Sequence, residues 1–217
     1  MLSGKHVGEL LAGARTGIAT HPVSQPAGGD TVGIVAADDS GLWVSINQSL
    51  YDGFGSGILE TQTGIIPHNR GSYFSLDPQS PNVLEGGKRP AHTLMPVMVT
   101  QEGAPIIASA TMGGSAHAQI HTELLTTIID QREAAWTAIE RPRWLVGGVQ
   151  RDGGSGVVAE IRVSDQVTES FHRSGIDVAM LGAWDEQVGH AQLIVRGVDG
   201  QFQAASDPRA DGAAAAG

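Results

Sequence analysis

The chain has 217 residues, a formal net charge of −10, 41% hydrophobic and 5% aromatic residues, 30 glycines and no cysteine. That length suits one domain, or one domain with a tail, and is enough to bury a core. The acidic balance argues against binding to nucleic acid or an anionic membrane surface, because both are held by Lys and Arg, and the lack of cysteine excludes disulfides, thiol nucleophiles and thiolate metal sites.

No run of about 18 apolar residues is present, and the start, Met1-Leu2-Ser3-Gly4-Lys5-His6, lacks a charged segment followed by an apolar one. The sequence therefore predicts neither a spanning helix nor a signal peptide, and a cytoplasmic location as written. Ser3 caps an expected helix to about Ala14, with Val7, Leu10, Leu11 and Ala14 on one face. Thr16 to Gly29 reads as an exposed linker. Thr31–Asp38 and Leu42–Ser49 read as strands joined by the turn Asp38-Asp39-Ser40-Gly41. A loop over Tyr51–Gly57 precedes a short apolar strand at Thr63–Pro67, and His68–Lys88 reads as loop.

Leu94–Thr100 and Pro105–Ala110 form a second expected hairpin around Gln101-Glu102-Gly103. Gly113-Gly114 then opens a helix over about Ser115–Gln131, with Ile120, Leu124, Leu125, Ile128 and Ile129 at helical spacing. A second helix over Glu133–Glu140 stops before Pro142. Val157–Val163, Ile176–Leu181, Ala191–Arg196 and Gln201–Ala205 read as strands, Asp165–Ser174 as a helix, and Asp211–Gly217 as a flexible tail. Hairpins with two central helices covering a face make an α+β layered sandwich.

Several segments together resemble the small subunit of gamma-glutamyltransferases, from about Leu2 to Arg209. They are Thr31 opening a strand-turn-strand unit, Phe54-Gly55-Ser56-Gly57, Thr63-Gly64-Ile65, Asn69, Phe74-Ser75, Pro81-Asn82, Gly87-Lys88-Arg89-Pro90 and Pro96. Gly113-Gly114, Arg141-Pro142-Arg143-Trp144, Gly189-His190-Ala191-Gln192 and Ser206-Asp207-Pro208-Arg209 complete the match. Each motif alone is weak, whereas their order and spacing are specific.

The resemblance implies an αββα sandwich of the N-terminal-nucleophile hydrolase type, divided by self-cleavage into two subunits. Residues 1–30 look like the end of a large subunit plus linker, residues 31–209 like the small catalytic domain, and 210–217 like a flexible tail. A separate large subunit, or self-association, would complete the fold. Cleavage of Asp30–Thr31 would free the Thr31 amine. A free α-amine has a pKa of about 7.7–8.0, so it can take the proton of the adjacent hydroxyl. Ser49 sits where the family carries a hydroxyl residue bonded to that threonine. Gly113 and Gly114 match its paired oxyanion glycines, which suits a backbone that must approach substrate closely. Asn69 matches an Asn beside the pocket. No cofactor or metal is implied, and the expected substrate is a small-molecule amide.

Departures cluster around the substrate. Tyr51 stands where the family has Asn, Arg70 where it has Gln or Glu, Tyr73 where it has the Asp that grips the substrate ammonium, and His92 where it has a Ser, with Thr93 keeping a hydroxyl alongside. Val32 and Gly33 replace the usual Thr or Ser and His after the nucleophile. An anion is lost and a cation gained. The expected substrate is an amide of a small acyl group, γ-glutamyl or a non-amino carboxy-acyl, as in the acylase and oxamate-amidohydrolase types. The rival reading is a truncated, inactive relative serving as a binding or assembly module. His117 and His121, four residues apart, read as polar residues on a solvated helix face rather than a metal pair. Gly53–Gly57 lacks the Lys and Ser/Thr of a phosphate loop.

Overall fold

A computed structural model describes residues 31–149 and 155–216. The expected Ser3–Ala14 helix, the linker and Asp30 lie outside the described residues.

The first ribbon forms as read. β1 (Thr31–Ala37) and β2 (Trp43–Ser49) pair antiparallel, from Ala37↔Trp43 at the turn to Thr31↔Ser49 at the open end. Asp38 closes the turn: its carboxylate accepts from the Leu42 amide (2.9 Å) and the Ser40 hydroxyl (2.7 Å). β3 (Val97–Gln101) and β4 (Ala104–Met112) make the second hairpin, and β8 (His190–Arg196) and β9 (Phe202–Ser206) extend it to a four-stranded antiparallel sheet ordered β3-β4-β8-β9. β5 (Trp144–Val149), β6 (Ser155–Glu160) and β7 (Val178–Leu181) form a separate three-stranded sheet, in which β6 and β7 are parallel.

The period-2 alternation of β4 sorts its two faces. Ile107 packs with Ile120, Leu124, Leu193 and Ala205 in the buried core beneath the helices. Ala110 points the other way, against the β1–β2 ribbon: a Cβ on Gly33 would lie 3.0 Å from the Ala110 carbonyl carbon, so only glycine allows this approach. The ribbon thus lies on one face of the four-stranded sheet. On the other lie α1 (His117–Leu125), which packs on β4, and α2 (Ala135–Glu140), which packs on β8 and β9. The fold is α+β. The ribbon's outward face carries exposed Val32, Ile34 and Ile46.

Three expectations need correction. Thr63–Pro67 is a turn, because the Glu60 carboxylate captures the Thr63 amide and hydroxyl, leaving one isolated bridge, Glu60↔Ile65. The long helix is not uniform: a 3₁₀ turn (Gly114–Ala116) leads into α1, and a wider π turn (Thr126–Asp130) ends it. Thr127 bonds back to the Glu123 carbonyl at 2.8 Å, a contact that bends helices. Trp144–Val149, not anticipated as a strand, is β5. α3 (Asp165–Arg173) follows β6, and its Phe171 packs edge-on against Trp144 at 4.9 Å.

The Arg-Pro-Arg-Trp and Ser-Asp-Pro-Arg motifs meet in a buried ionic network. Arg143 pairs with Asp207 at 2.7 Å, and Arg209 with Asp207 (3.0 Å) and Glu160 (2.6 Å). Arg143 also donates to the Gly189 carbonyl and Arg209 to those of Ile139 and Arg141. The network ties α2, β6, β8 and the end of β9 together. Among the described residues no helix is long and apolar enough to cross a membrane.

Candidate active site

The open end of the β1–β2 ribbon brings two hydroxyls together. Thr31 is buried, and its Oγ1 donates to Ser49 Oγ at 2.9 Å. Ser49 Oγ also accepts from the Tyr51 amide at 2.9 Å, which fixes its rotamer. Polar side chains pin the ribbon along β4: Ser45 Oγ donates to the Ser109 carbonyl (2.8 Å) and Asn47 Nδ2 to the Thr111 carbonyl (2.5 Å). Continued by one more two-residue step, that spacing would set Ser49 level with Gly113.

Gly113 and Gly114 form the corner where β4 turns into the 3₁₀ segment. Gly113 takes φ +157, which L side chains rarely adopt, and a Cβ there would push aside the tip of Ile120. Ile120 thereby holds the corner tight against the sheet.

Arg70 lies in a short 3₁₀ turn (Arg70–Tyr73) and is buried at 3% exposure. Its guanidinium stacks on two rings, 4.1 Å from the Tyr51 centroid and 5.0 Å from that of Tyr73. The rings meet edge-to-face at 5.9 Å, so Tyr51 and Tyr73 form a clamp on the cation. One guanidinium nitrogen, Nη2, donates to Thr93 Oγ1. Nε and Nη1 have no partner among the described residues. Asn69 holds the neighbouring loop instead: its amide bonds to Asp52 and to the Gly55 carbonyl. His92 is exposed. Partial loss of solvent, then the charges of Arg70 and His68, hold its imidazole below the ordinary value.

The two helical histidines are not on a solvated face. His117 is 1% exposed and His121 2%. They share the inner face of α1 with Ile120 and Leu124, and the spacing of 117 to 120 and 124 is the signal that could have revealed it. His121 is satisfied: Nε2 donates to the Met95 carbonyl at 2.9 Å, so Nδ1 accepts from Ser109 Oγ at 3.0 Å. Both ring nitrogens of His117 lack partners among the described residues. Burial, followed by the charges of His121, Arg70 and His92, pushes its pKa down to about 4. A neutral imidazole carries one donor and one acceptor, and each left unmade in the interior costs about 1–3 kcal/mol. Its ring borders the glycine corner, with Cδ2 lying 3.5 Å from where a Gly113 Cβ would be.

A sequence profile of the gamma-glutamyltranspeptidase family matches residues 11–217. The chain is 40% identical over 191 residues to the glutathione hydrolase-like YwrD proenzyme of Bacillus subtilis, covering 88% of this chain and 36% of that protein. It is also 40% identical over 187 residues to the oxamate amidohydrolase proenzyme of Klebsiella pneumoniae, covering 86% and 35%. The chain thus spans about a third of the length of these curated relatives. Among solved structures it resembles a cephalosporin acylase from Bacillus halodurans, with a TM-score of 0.76 and 32% identity over 94% of this chain and 37% of that one. A gamma-glutamyltranspeptidase from Pseudomonas nitroreducens shares the fold, with a TM-score of 0.71 at 22% identity over 85% of this chain and 98% of that one.

Proposed function

The chain belongs to the gamma-glutamyltranspeptidase family, and on that premise we propose that it is the nucleophile-bearing part of a self-cleaving N-terminal-threonine amidohydrolase or acyltransferase. The observation that carries this reading is the Thr31–Ser49 hydroxyl pair at the open end of the β1–β2 ribbon. Cleavage of Asp30–Thr31 creates an α-amine on the residue that holds the hydroxyl. The amine takes the Oγ1 proton as Oγ1 adds to the substrate's amide carbon. Backbone N–H groups at the Gly113-Gly114 corner stabilise the oxygen that becomes negative. Collapse breaks the C–N bond, the leaving amine departs with the proton, and an ester on Thr31 remains. Water or a second amine then takes the acyl group and restores the hydroxyl.

The acyl group we propose is a small one bearing a carboxylate without the α-ammonium. Two guanidinium N–H groups of Arg70 are buried and without partners among the described residues, and a tyrosine stands where the family's ammonium-binding Asp would be. Arg suits a carboxylate because its charged N–H groups make strong, short hydrogen bonds to carboxylate oxygens. Tyr51, Tyr73 and Thr93 hold the guanidinium, His92 flanks it, and Asn69 shapes the adjoining loop.

Part of the fold is supplied from outside this segment on our reading. The exposed apolar face of Val32, Ile34 and Ile46 suits a covering layer from a large subunit, or from self-association. Such a layer would complete the αββα sandwich. The alternative, an inactive assembly module, is not favoured: relatives at 40% identity are proenzymes, and the hydroxyl pair and glycine corner are intact.

A substrate panel tests this. The protein should hydrolyse a glutaryl or shorter carboxy-acyl anilide faster than the γ-glutamyl anilide, and Arg70→Gln should narrow that gap by roughly 10- to 100-fold. A preference for the γ-glutamyl anilide would refute the acyl assignment.

A further inference from the structure

We propose that His117 is a specificity-determining residue of the acyl subsite, where its neutral ring donates one N–H to the acyl group's carboxylate opposite the unpartnered N–H groups of Arg70. This rests on the carboxy-acyl reading and adds a second wall to that site.

The comparison of His117 with His121 carries the argument. Both rings are buried on one face of α1, one turn apart, with centroids 6.4 Å apart and nearly perpendicular. Where histidine serves the core, as at His121, both nitrogens are matched by Ser109 and Met95. At His117 neither is matched among the described residues, although α1 positions the ring as firmly. Buried polar groups in native proteins nearly always find a partner, and an exception calls for a missing water or ligand.

The location decides which ligand. His117 opens α1 directly after the glycine corner, and its ring lies against Gly113. The charges of His121, Arg70 and His92 act on it, and among the described residues no carboxylate does. On His92, after burial, the charges acting among the described residues are those of Arg70 and His68. Among the described residues, then, a cation and neighbouring imidazoles act on this ring, and no carboxylate acts with them. A carboxylate answers both: one oxygen accepts from an unpartnered Arg70 N–H and the other from the imidazole N–H. The acyl chain then runs from this anchor towards the carbon beside Gly113, so the substrates are monoamides of short dicarboxylic acids.

The test is titration calorimetry of the full chain with a dicarboxylate series from oxalate to adipate, with glutaramide as the uncharged control, on wild type, His117→Leu and His117→Gln. Expected is binding of at least one short dicarboxylate by wild type and none of glutaramide. His117→Leu should weaken that binding at least tenfold while leaving thermal stability unchanged or raised, since it removes an unmatched polar group. His117→Gln, which keeps a donor, should bind within a few-fold of wild type. Should the leucine variant not fold, His117→Met carries the same comparison. Equal binding by wild type and the apolar variant overturns the proposal, as does absence of dicarboxylate binding to wild type. A protein that self-cleaves at Thr31 and hydrolyses amides but fails this test loses the subsite alone. One that binds dicarboxylates but stays uncleaved loses the nucleophile assignment.

Discussion

Thr31 and Ser49 face each other as the last pair of the β1–β2 ribbon, hydroxyl to hydroxyl at 2.9 Å. Among the described residues, Ser49 Oγ accepts from Thr31 Oγ1 and the Tyr51 amide. Ser49→Ala should therefore slow both self-cleavage and turnover by roughly 3- to 10-fold, the worth of one neutral hydrogen bond, while Ser49→Thr retains most of both. Timed gels and steady-state rates on the same preparations check this.

Gly113→Ala inserts a methyl where the Ile120 side chain already sits. The tip of Ile120 must turn aside in a packed core and the alanine must take φ +157, which L residues rarely adopt, so the corner and the N–H groups we assign to the oxyanion shift. kcat should fall on the order of 10²–10³-fold with a much smaller change in KM. A fall in KM affinity with kcat preserved would mean that the corner shapes binding rather than the transition state.

Asp207 joins Arg143 and Arg209 in the interior, with side chains 0–1% exposed. Asp207→Ala leaves two buried guanidinium groups facing each other and should cost about 3–5 kcal/mol, read from urea unfolding. Glu160, in the same network, has its carboxyl held below the ordinary 4.5: burial, the largest single influence, opposes this, and the hydrogen bonds from Arg209 and the Arg143 amide with the charges of Arg209 and Arg162 together outweigh it. Its folded pKa is lower than its unfolded one. Its stabilisation is therefore complete above about pH 4.5 and lost as pH falls through the folded value.

Glu123 shifts the opposite way. Burial, only partly offset by Arg143 and Arg209, raises it to about 7. It lines a cavity of about 600 Å³ with Gln119, Arg141 and Trp144. A raised folded pKa makes the carboxyl a liability as pH climbs from about 4.5 to 7. Glu123→Gln should match wild type in thermal stability near pH 4.5 and exceed it above pH 7. Parallel melting curves at both pH values would show it, and equal curves at pH 8 would contradict it.

The hairpins were legible because their turns announce themselves: Asp38 to Gly41 and Gln101 to Gly103 carry polar and Gly signals between β-rich runs. β5 was not. It follows Pro142 at once and holds Gly147-Gly148, which reads as turn; in the structure Gly147 takes φ +80 where the register with β6 shifts. Thr63–Pro67 misled in the other direction, since a short apolar run cannot announce that Glu60 will claim its amides. At the site, Thr31, Ser49 and Gly113 came from a family resemblance, and no local pattern marks them. The clamp of Tyr51 and Tyr73 around Arg70 joins residues whose separation in sequence gives no hint of stacking. His117 was hidden by treating two histidines as a pair, when their spacing to Ile120 and Leu124 already placed them inward.

Determining the N-terminal sequence of the purified protein's fragments tests the nucleophile most directly. The account predicts a species beginning Thr31-Val32-Gly33, abolished in Thr31→Ala. A fully active protein whose chain runs unbroken through Asp30–Thr31 would contradict it.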